Sequence, residues 1–419
     1  MHGRGHICSQ LEIGLMQIAY LVPEFPGQTH IFFWRERQAL QRMGIGTYLV
    51  STRRPPKAIV SHTWAENAAS ETFYLADIGR QDILPIAIQF ARFGPKAWIK
   101  AISAAMDGCP PRYWLSNLAL MIVATRLLVF MRAKDLSHIH SHSCGDSAII
   151  AMLANRLANT SYSLTLHGDL HDYGRQQILK WRYAAFAIAI THKLYKQVRK
   201  NLSGSIPPNI GLAPMGVDPS IFKRNRPYRP WIGDDPLRLF SCGRLNFVKG
   251  HQDLIEAVSL LQKSGMSIRL EIAGEDDTGG IGFRKDLENL IKKLQLADTV
   301  ELLGAVSEQR VLEGLENAHL FVLASHHEPL GVAIMEALSY ETPVISTNLG
   351  GVPELIDHGI DGFLVSPKNP EELAASIKQV ATNKSLAKQL SRSGRAKICR
   401  RFNSDLSAAE LKRLLEQMN

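Results

Sequence analysis

Short runs of consecutive apolar residues recur along the chain, each followed by a stretch in which apolar residues return every three to four positions. In the first half the runs are MQIAYLV, GTYLVS, HIHSH, YSLTLH, AIAIT and IGLAP; in the second they are LRLFSCG, IRLEIAG, VELLG, LFVLAS, TPVIST and GFLVSP. The helical period covers residues 30–43, 113–134, 146–157, 250–264, 284–295, 308–317, 331–340 and 371–381. Strands with no polar alternation are buried on both faces, and strands alternating with helices build parallel sheets from βαβ units. The series runs twice. Its interruption, APMGVDPSIFKRNRPYRPWIGDDP, carries Pro214, Pro219, Pro227, Pro230 and Pro236 and reads as a linker. The prediction is therefore α/β: two Rossmann-like, doubly wound domains, residues 1–217 and 218–400, facing across a cleft at the carboxyl ends of their strands. A final helix within 401–419 is expected to pack back toward the first domain. Residues 1–15 lack an apolar signal core and read as an extension before the first strand.

A chain of 419 residues exceeds what one core supports, in keeping with two domains. The five cysteines are scattered without a CxxC spacing, which argues for a reducing cytoplasm and against a disulfide framework or zinc knuckle. The segment YWLSNLALMIVATRLLVFMRAKD is the one membrane candidate. Its unbroken apolar run, Leu118 to Thr125, is interrupted by Arg126 and falls short of the ~20 residues of a span. A buried helix is expected, with an interfacial helix as the alternative.

Charge changes the picture more. Residues 1–217 hold 23 Lys and Arg against 12 Asp and Glu, while residues 218–419 hold 25 against 27. The whole excess of positive charge thus lies in the first half, which points to an anionic partner there. No nucleic-acid motif accompanies it.

The candidate chemistry lies in EPLGVAIMEALSYETPVISTNLGGVPE. LFVLAS is a strand, HHEPLG a turn at its carboxyl end, and VAIMEALSY a helix start. The unpaired N–H groups of a helix start suit a phosphate, and Gly331, with Val332 after it, lets a ligand approach the backbone. Glu336 lies about 7.5 Å along the helix and Glu328 precedes the turn. Carboxylates accept from paired hydroxyls. A diphosphate flanked by two hydroxyl-bearing rings fits both, with the ribose on Glu336 and the hexose on Glu328. Such a ligand is a nucleotide sugar. Arg244 and Lys249, in the glycine-bounded loop GRLNFVKG at another strand end, supply cations for the diphosphate.

With GRLNFVKG, IAGEDD, VELLGAVSEQRV and the Glu-x7-Glu stretch in place, the second half resembles the family 4 retaining glycosyltransferases of GT-B fold. The resemblance implies that Arg244 and Lys249 hold the diphosphate, Glu328 the sugar, the amides near Gly331 and Val332 the phosphate, and Glu336 the ribose. Glu275 and Val306 would border the base of a UDP- or GDP-sugar. YLVPEFPGQTHIFFWRERQAL is similar to the exopolysaccharide branch, in which a Phe-Pro turn precedes a helix with an Arg-Glu pair. Gly27, Gln28 and Thr29 stand where the family more often has a Gly-Gly loop. SLTLHGDLHDY resembles the strand-end histidine motif, so His167 would border the transferred sugar, with His142 and Asp169 lining the acceptor side. The implied reaction is a front-face displacement without a metal or other cofactor. The implied acceptor is a saccharide or polyprenyl-diphosphate-linked oligosaccharide at the inner face of the cytoplasmic membrane, contacted peripherally.

His138, His140 and His142 alternate along one strand, with Cys144 in phase; metal ligation competes here with a plain strand period, and the strand reading is preferred. Two rival functions share the donor site: an epimerase or hydrolase on the same fold, and a non-catalytic nucleotide-sugar sensor. A dehydrogenase would require a GxGxxG turn that VPEFPGQT does not provide.

Overall fold

The computed structural model describes residues 16–27, 30–55, 63–276 and 280–418. In the first half β1 (Met16–Glu24), β2 (Ile45–Arg53), β3 (Phe73–Tyr74), β4 (His138–His142), β5 (Ser161–Leu166), β6 (Phe186–Ala189) and β7 (Asn209–Leu212) form one sheet in the order β3-β2-β1-β4-β5-β6-β7. In the second, β8 (Leu237–Cys242), β9 (Ile268–Ala273), β10 (Val300–Gly304), β11 (Leu320–Leu323), β12 (Val344–Thr347) and β13 (Phe363–Val365) form another, β10-β9-β8-β11-β12-β13. Every strand pairing is parallel. The expected pair of doubly wound domains is present. In each sheet the winding reverses beside its first strand, between β1 and β4 and between β8 and β11. The loops there splay apart and leave a crevice at the strands' carboxyl ends.

The core follows the unbroken apolar runs. All five residues of β4 are buried, including its three histidines. The sequence pattern offers no way to see β3, a two-residue edge strand.

Several contacts tie the halves together. Val217 bridges to Asn403, and the helix Ser404–Glu416 then lies on the helix Ile31–Arg42. Ala408, Leu411, Leu414 and Leu415 are buried there with Phe33 and Leu40 of the first domain. Across the gap, Glu354 accepts from the backbone N–H groups of His192 (2.7 Å) and Lys193 (2.8 Å), satisfying two orphan donors at the start of the helix His192–Asn201.

The apolar segment departs from expectation in one respect. The helix Trp114–Ala133 with its leading turn from Pro111 is long and apolar enough, by length and composition, to cross a membrane. Arg126 does not break it. Its guanidinium is buried, donates to the carbonyls of Tyr74 and Leu75 (2.6 and 2.9 Å) and pairs with Asp82 at 3.1 Å. Met121, Ala124, Leu127, Leu128 and Met131 pack into the first domain's core, so much of this helix is an internal one.

Candidate functional site

β8 and β11 deliver the site's two main loops. After β8 come Gly243 and Arg244, then the tight turn Phe247–Lys249, where the Asn246 side chain accepts from the Lys249 N–H (3.1 Å). After β11 the chain runs through Ser325 and Glu328 to Gly331, which caps the helix Val332–Ser339 at a φ of +99°. That backbone conformation is open to glycine and strained for most other residues. Lys249 Nζ meets Glu328 Oε2 at 2.5 Å, and the Ser325 hydroxyl donates to the same oxygen at 3.3 Å.

The glycine pair downstream explains itself here. Gly351 N–H donates to the Glu328 carbonyl (3.0 Å), and a Cβ on Gly350 would fall 1.8 Å from that same oxygen. Gly350, at φ +63°, lets β12's loop press on the backbone of Glu328 and hold its carboxylate in place. Gly350→Ala should destabilise the fold by roughly 1–3 kcal/mol and lower activity with it. Gly108→Ala, at a similar φ of +60° with open space around it, is the control. Denaturant unfolding of both variants, with Gly350→Ala the more damaged, checks the assignment.

The first domain closes the other wall. Arg35 reaches across to Glu336 Oε1 at 2.8 Å and to Glu308 at 3.7 Å, its guanidinium lying over the Phe222 ring. Burial raises the Glu336 carboxyl above its usual range, and the Arg35 charge partly opposes that. His167, at the end of β5, is held down to about 3 by burial and, secondarily, by the charge of His30. Its imidazole is therefore neutral near pH 7. His167 Nε2 lies 3.1 Å from His142 Nδ1, and His142 Nε2 faces Glu36 Oε2 at 3.3 Å, while Tyr20 donates to that carboxylate at 2.7 Å. His142 Nε2 makes no hydrogen bond to Glu36 despite the short separation, and either ring can donate across the His142–His167 contact. His167 Nδ1 is buried and without a hydrogen-bond partner among the described residues.

These groups surround one cavity of about 440 Å³, lined by Arg244, Lys249, Glu328, Gly331, Val332, Glu336, Val306 and His167 among others. That size suits a nucleotide-sized ligand. The candidate donor residues thus converge, with one exception. Glu275 does not line the cavity: Arg284 takes its carboxylate at 2.9 Å, and Ala273 and Gly274 line the wall instead.

The acceptor-side expectations need more correction. His142 lies behind His167, fully buried, because β4 is a central strand. Asp169 points toward Lys193 (3.5 Å) and the His327 ring (3.9 Å) at the rim. Gly27 accepts from the His30 N–H (3.0 Å) and places His30, not itself, against the cavity. Gln28 and Thr29 lie outside the described residues. Sequence reasoning missed His30, Phe32, Phe33 and Arg35. The one signal for them was the Arg-Glu pair on the first helix, whose members turn out to address Glu336 and His142 separately.

Most ring nitrogens of the histidine strand already have hydrogen-bond partners. Glu36, His140 and His142 come close enough to share an ion. However, His140 already bonds Ser163 (2.8 Å) and Thr165 (3.0 Å), His138 bonds Ser161 and Ser163, and His142 bonds His167.

With two strand-end loops, a helix start and two carboxylates on one cavity, the second domain can be compared with known proteins. Residues 227–397 match the family of glycosyl transferases group 1. The matched stretch contains every candidate donor residue. AmsK of Erwinia amylovora, an amylovoran biosynthesis glycosyltransferase, is 29% identical over 215 residues, 50% of this chain and 51% of its own. The chain thus spans about half the length of the first curated relatives it matches. WcaL of Escherichia coli K12, provisionally named a colanic acid biosynthesis glycosyltransferase, aligns over 425 residues at 25% identity, covering 96% of this chain and all of its own. Among solved structures, sucrose-phosphate synthase of Thermosynechococcus elongatus superposes with a TM-score of 0.73 at 19% identity, covering 96% of this chain and 99% of that one. HepE of Anabaena, in complex with UDP-glucose, superposes with a TM-score of 0.70 at 18% identity and the same coverage. The fold is GT-B.

Proposed function

We propose that this chain is a retaining glycosyltransferase that moves a hexose from a UDP- or GDP-sugar to a saccharide or lipid-linked oligosaccharide in exopolysaccharide synthesis. One observation carries the reading: two cations and a helix N-terminus lie between two carboxylates around a single cavity. The cations and the helix start address a diphosphate, Glu336 addresses a ribose, and Glu328 a hexose. The similarity to exopolysaccharide glycosyltransferases supports the pathway class, and the UDP-glucose bound by HepE supports a nucleotide-sugar donor.

In the reaction, the bond from the anomeric carbon to the β-phosphate oxygen breaks and a bond to the acceptor oxygen forms on the same face. The acceptor's hydroxyl proton passes to the departing phosphate oxygen. The residues contribute position and charge rather than a covalent intermediate. Lys249, Arg244 and the N–H groups after Gly331 take up the negative charge that grows on the diphosphate. His167 Nδ1, buried and unpartnered among the described residues, hydrogen-bonds a sugar hydroxyl and fixes the ring against the first domain.

A panel of nucleotide sugars tests this by thermal unfolding. A true donor at a hundredfold excess over its Kd contributes about 2.7 kcal/mol to the folded state. The matching nucleoside diphosphate should stabilise as well, and incubation with acceptor should release it while forming an α- or β-linkage that keeps the donor's configuration. Absence of stabilisation by every UDP- and GDP-sugar would refute the proposal.

A further inference from the structure

The helices Arg80–Arg92 and Pro95–Met106, with the start of Trp114–Ala133, present an outward surface that soluble packing does not call for. A surface helix normally turns its aliphatic stripe inward and polar residues outward. Here Ile86 faces in, while Ile83 (61% exposed), Leu84 (68%) and Ile88 face out. The next helix does the same with Ile99 (68%) and Ile102, and Leu115 is 82% exposed at the start of the third. Six exposed aliphatic side chains on three successive helices are more than singly scattered surface residues account for.

Its charge is one-sided. Residues 80–134 carry eight Lys and Arg against two Asp. Arg80, Leu84, Ile88 and Arg92 repeat at a spacing of four along one helix face, and Lys96 and Lys100 flank Ile99 on the next. Asp82 is spent internally, accepting from the Gly79 N–H at 2.7 Å and pairing with the buried Arg126. Nearby Asp77 is paired with Arg54. Arg80, Arg92, Lys96, Lys100 and Arg112 therefore face solvent with only Asp107 of opposite sign in this segment.

We propose that this three-helix face is the element by which the protein docks on an anionic lipid bilayer, with the aliphatic side chains entering the interface and the cations on lipid headgroups. Aliphatic side chains framed by Lys and Arg are the composition of helices that lie in the membrane plane. A protein partner would need carboxylates spread among apolar contacts; a leaflet supplies anionic phosphates above apolar chains in bulk. The face is also rigidly joined to the cleft. Asn117 donates to Gln176 (2.8 Å), Gln176 donates to the carbonyls of Ala104 (2.8 Å) and Asp107 (2.7 Å), and Arg175 donates to Asn117 (2.7 Å). Arg175 and Gln176 follow one residue after Tyr173, which lines the cavity with His167. An acceptor anchored in that leaflet would be held beside the acceptor wall. The inference goes beyond the transferase reading and stands on its own observations.

The test is sedimentation of the full chain with phosphatidylcholine vesicles with and without phosphatidylglycerol, at low and high salt. The full chain should sediment with the anionic vesicles, and weakly or not at all with the neutral ones, and salt should reduce binding. Ile83→Glu/Leu84→Glu and Ile99→Glu should each weaken partitioning about tenfold or more. Ile281→Glu, an equally exposed aliphatic of the second domain, should leave it unchanged. Nucleoside diphosphate binding, read on the same variants, should be unaffected and reports that they are folded. Failure to sediment at low salt, equal binding to neutral vesicles, or variants that bind like wild type would overturn the proposal. So would a lipid-free dimer by light scattering that the same substitutions abolish. Vesicle binding without any nucleoside diphosphate binding would sink the donor reading and leave this one standing.

Discussion

Lys249→Ala and Arg244→Ala are each expected to cut turnover by about 10²–10³-fold at saturating donor, on the scale of removing one donor to a developing oxyanion (about 3–4 kcal/mol). Both residues lie on the loop after β8, opposite the helix start at Gly331, where a departing diphosphate would gain its charge. A loss of fold is the competing explanation for Lys249, because its removal leaves the 6% exposed Glu328 without its 2.5 Å partner. An uncompensated buried carboxylate is itself strongly destabilising. The double variant Lys249→Ala/Glu328→Gln separates the two effects. It should recover the thermal midpoint of the wild type while turning over far more slowly than Glu328→Gln alone. A Lys249→Ala enzyme that keeps most of its turnover, or a double variant that turns over as fast as Glu328→Gln alone, removes Lys249 from the diphosphate.

The donor half of this site is legible in the sequence because it is local. Glu328, Gly331 and Glu336 sit within one strand-turn-helix unit, and Arg244 and Lys249 within another, so spacing alone decides what they can face. The parallel sheets are equally legible, since a strand buried on both faces writes an unbroken apolar run. What spacing does not carry is long-range pairing. Arg35 and Glu336 come from opposite halves of the chain and meet only because the helix Ile31–Arg42 is pinned under the helix Ser404–Glu416. Glu275 and Asp169 are site residues by the family resemblance alone, and each is claimed by a cation, Arg284 or Lys193, that reaches it from another turn. The helices Arg80–Arg92 and Pro95–Met106 escape the sequence pattern for a different reason. Pro85 reads as a breaker, and aliphatic residues on the outer face erase the period by which a surface helix is recognised.

The two glutamates should part company when tested with free nucleoside diphosphate. Glu336→Gln is expected to weaken its binding about tenfold or more, the scale of a hydrogen bond to a charged group (about 1.5–3 kcal/mol), because the ribose belongs to that ligand. Glu328→Gln should leave the same affinity intact or slightly improved, since Lys249 is then released from its carboxylate and free to meet the diphosphate, while sugar transfer falls. Arg35 makes the first expectation sharper. It holds Glu336 at 2.8 Å, so a ribose must share or displace that contact. If Glu336 serves the ribose, Arg35→Ala should keep or raise affinity while Glu336→Gln lowers it. If the carboxylate exists only to latch the two domains through Arg35, the two substitutions should shift affinity in the same direction. Calorimetric titration of UDP and GDP into the wild type and the three variants distinguishes these outcomes. Equal losses for Glu336→Gln and Glu328→Gln would refute the division of labour between ribose and hexose.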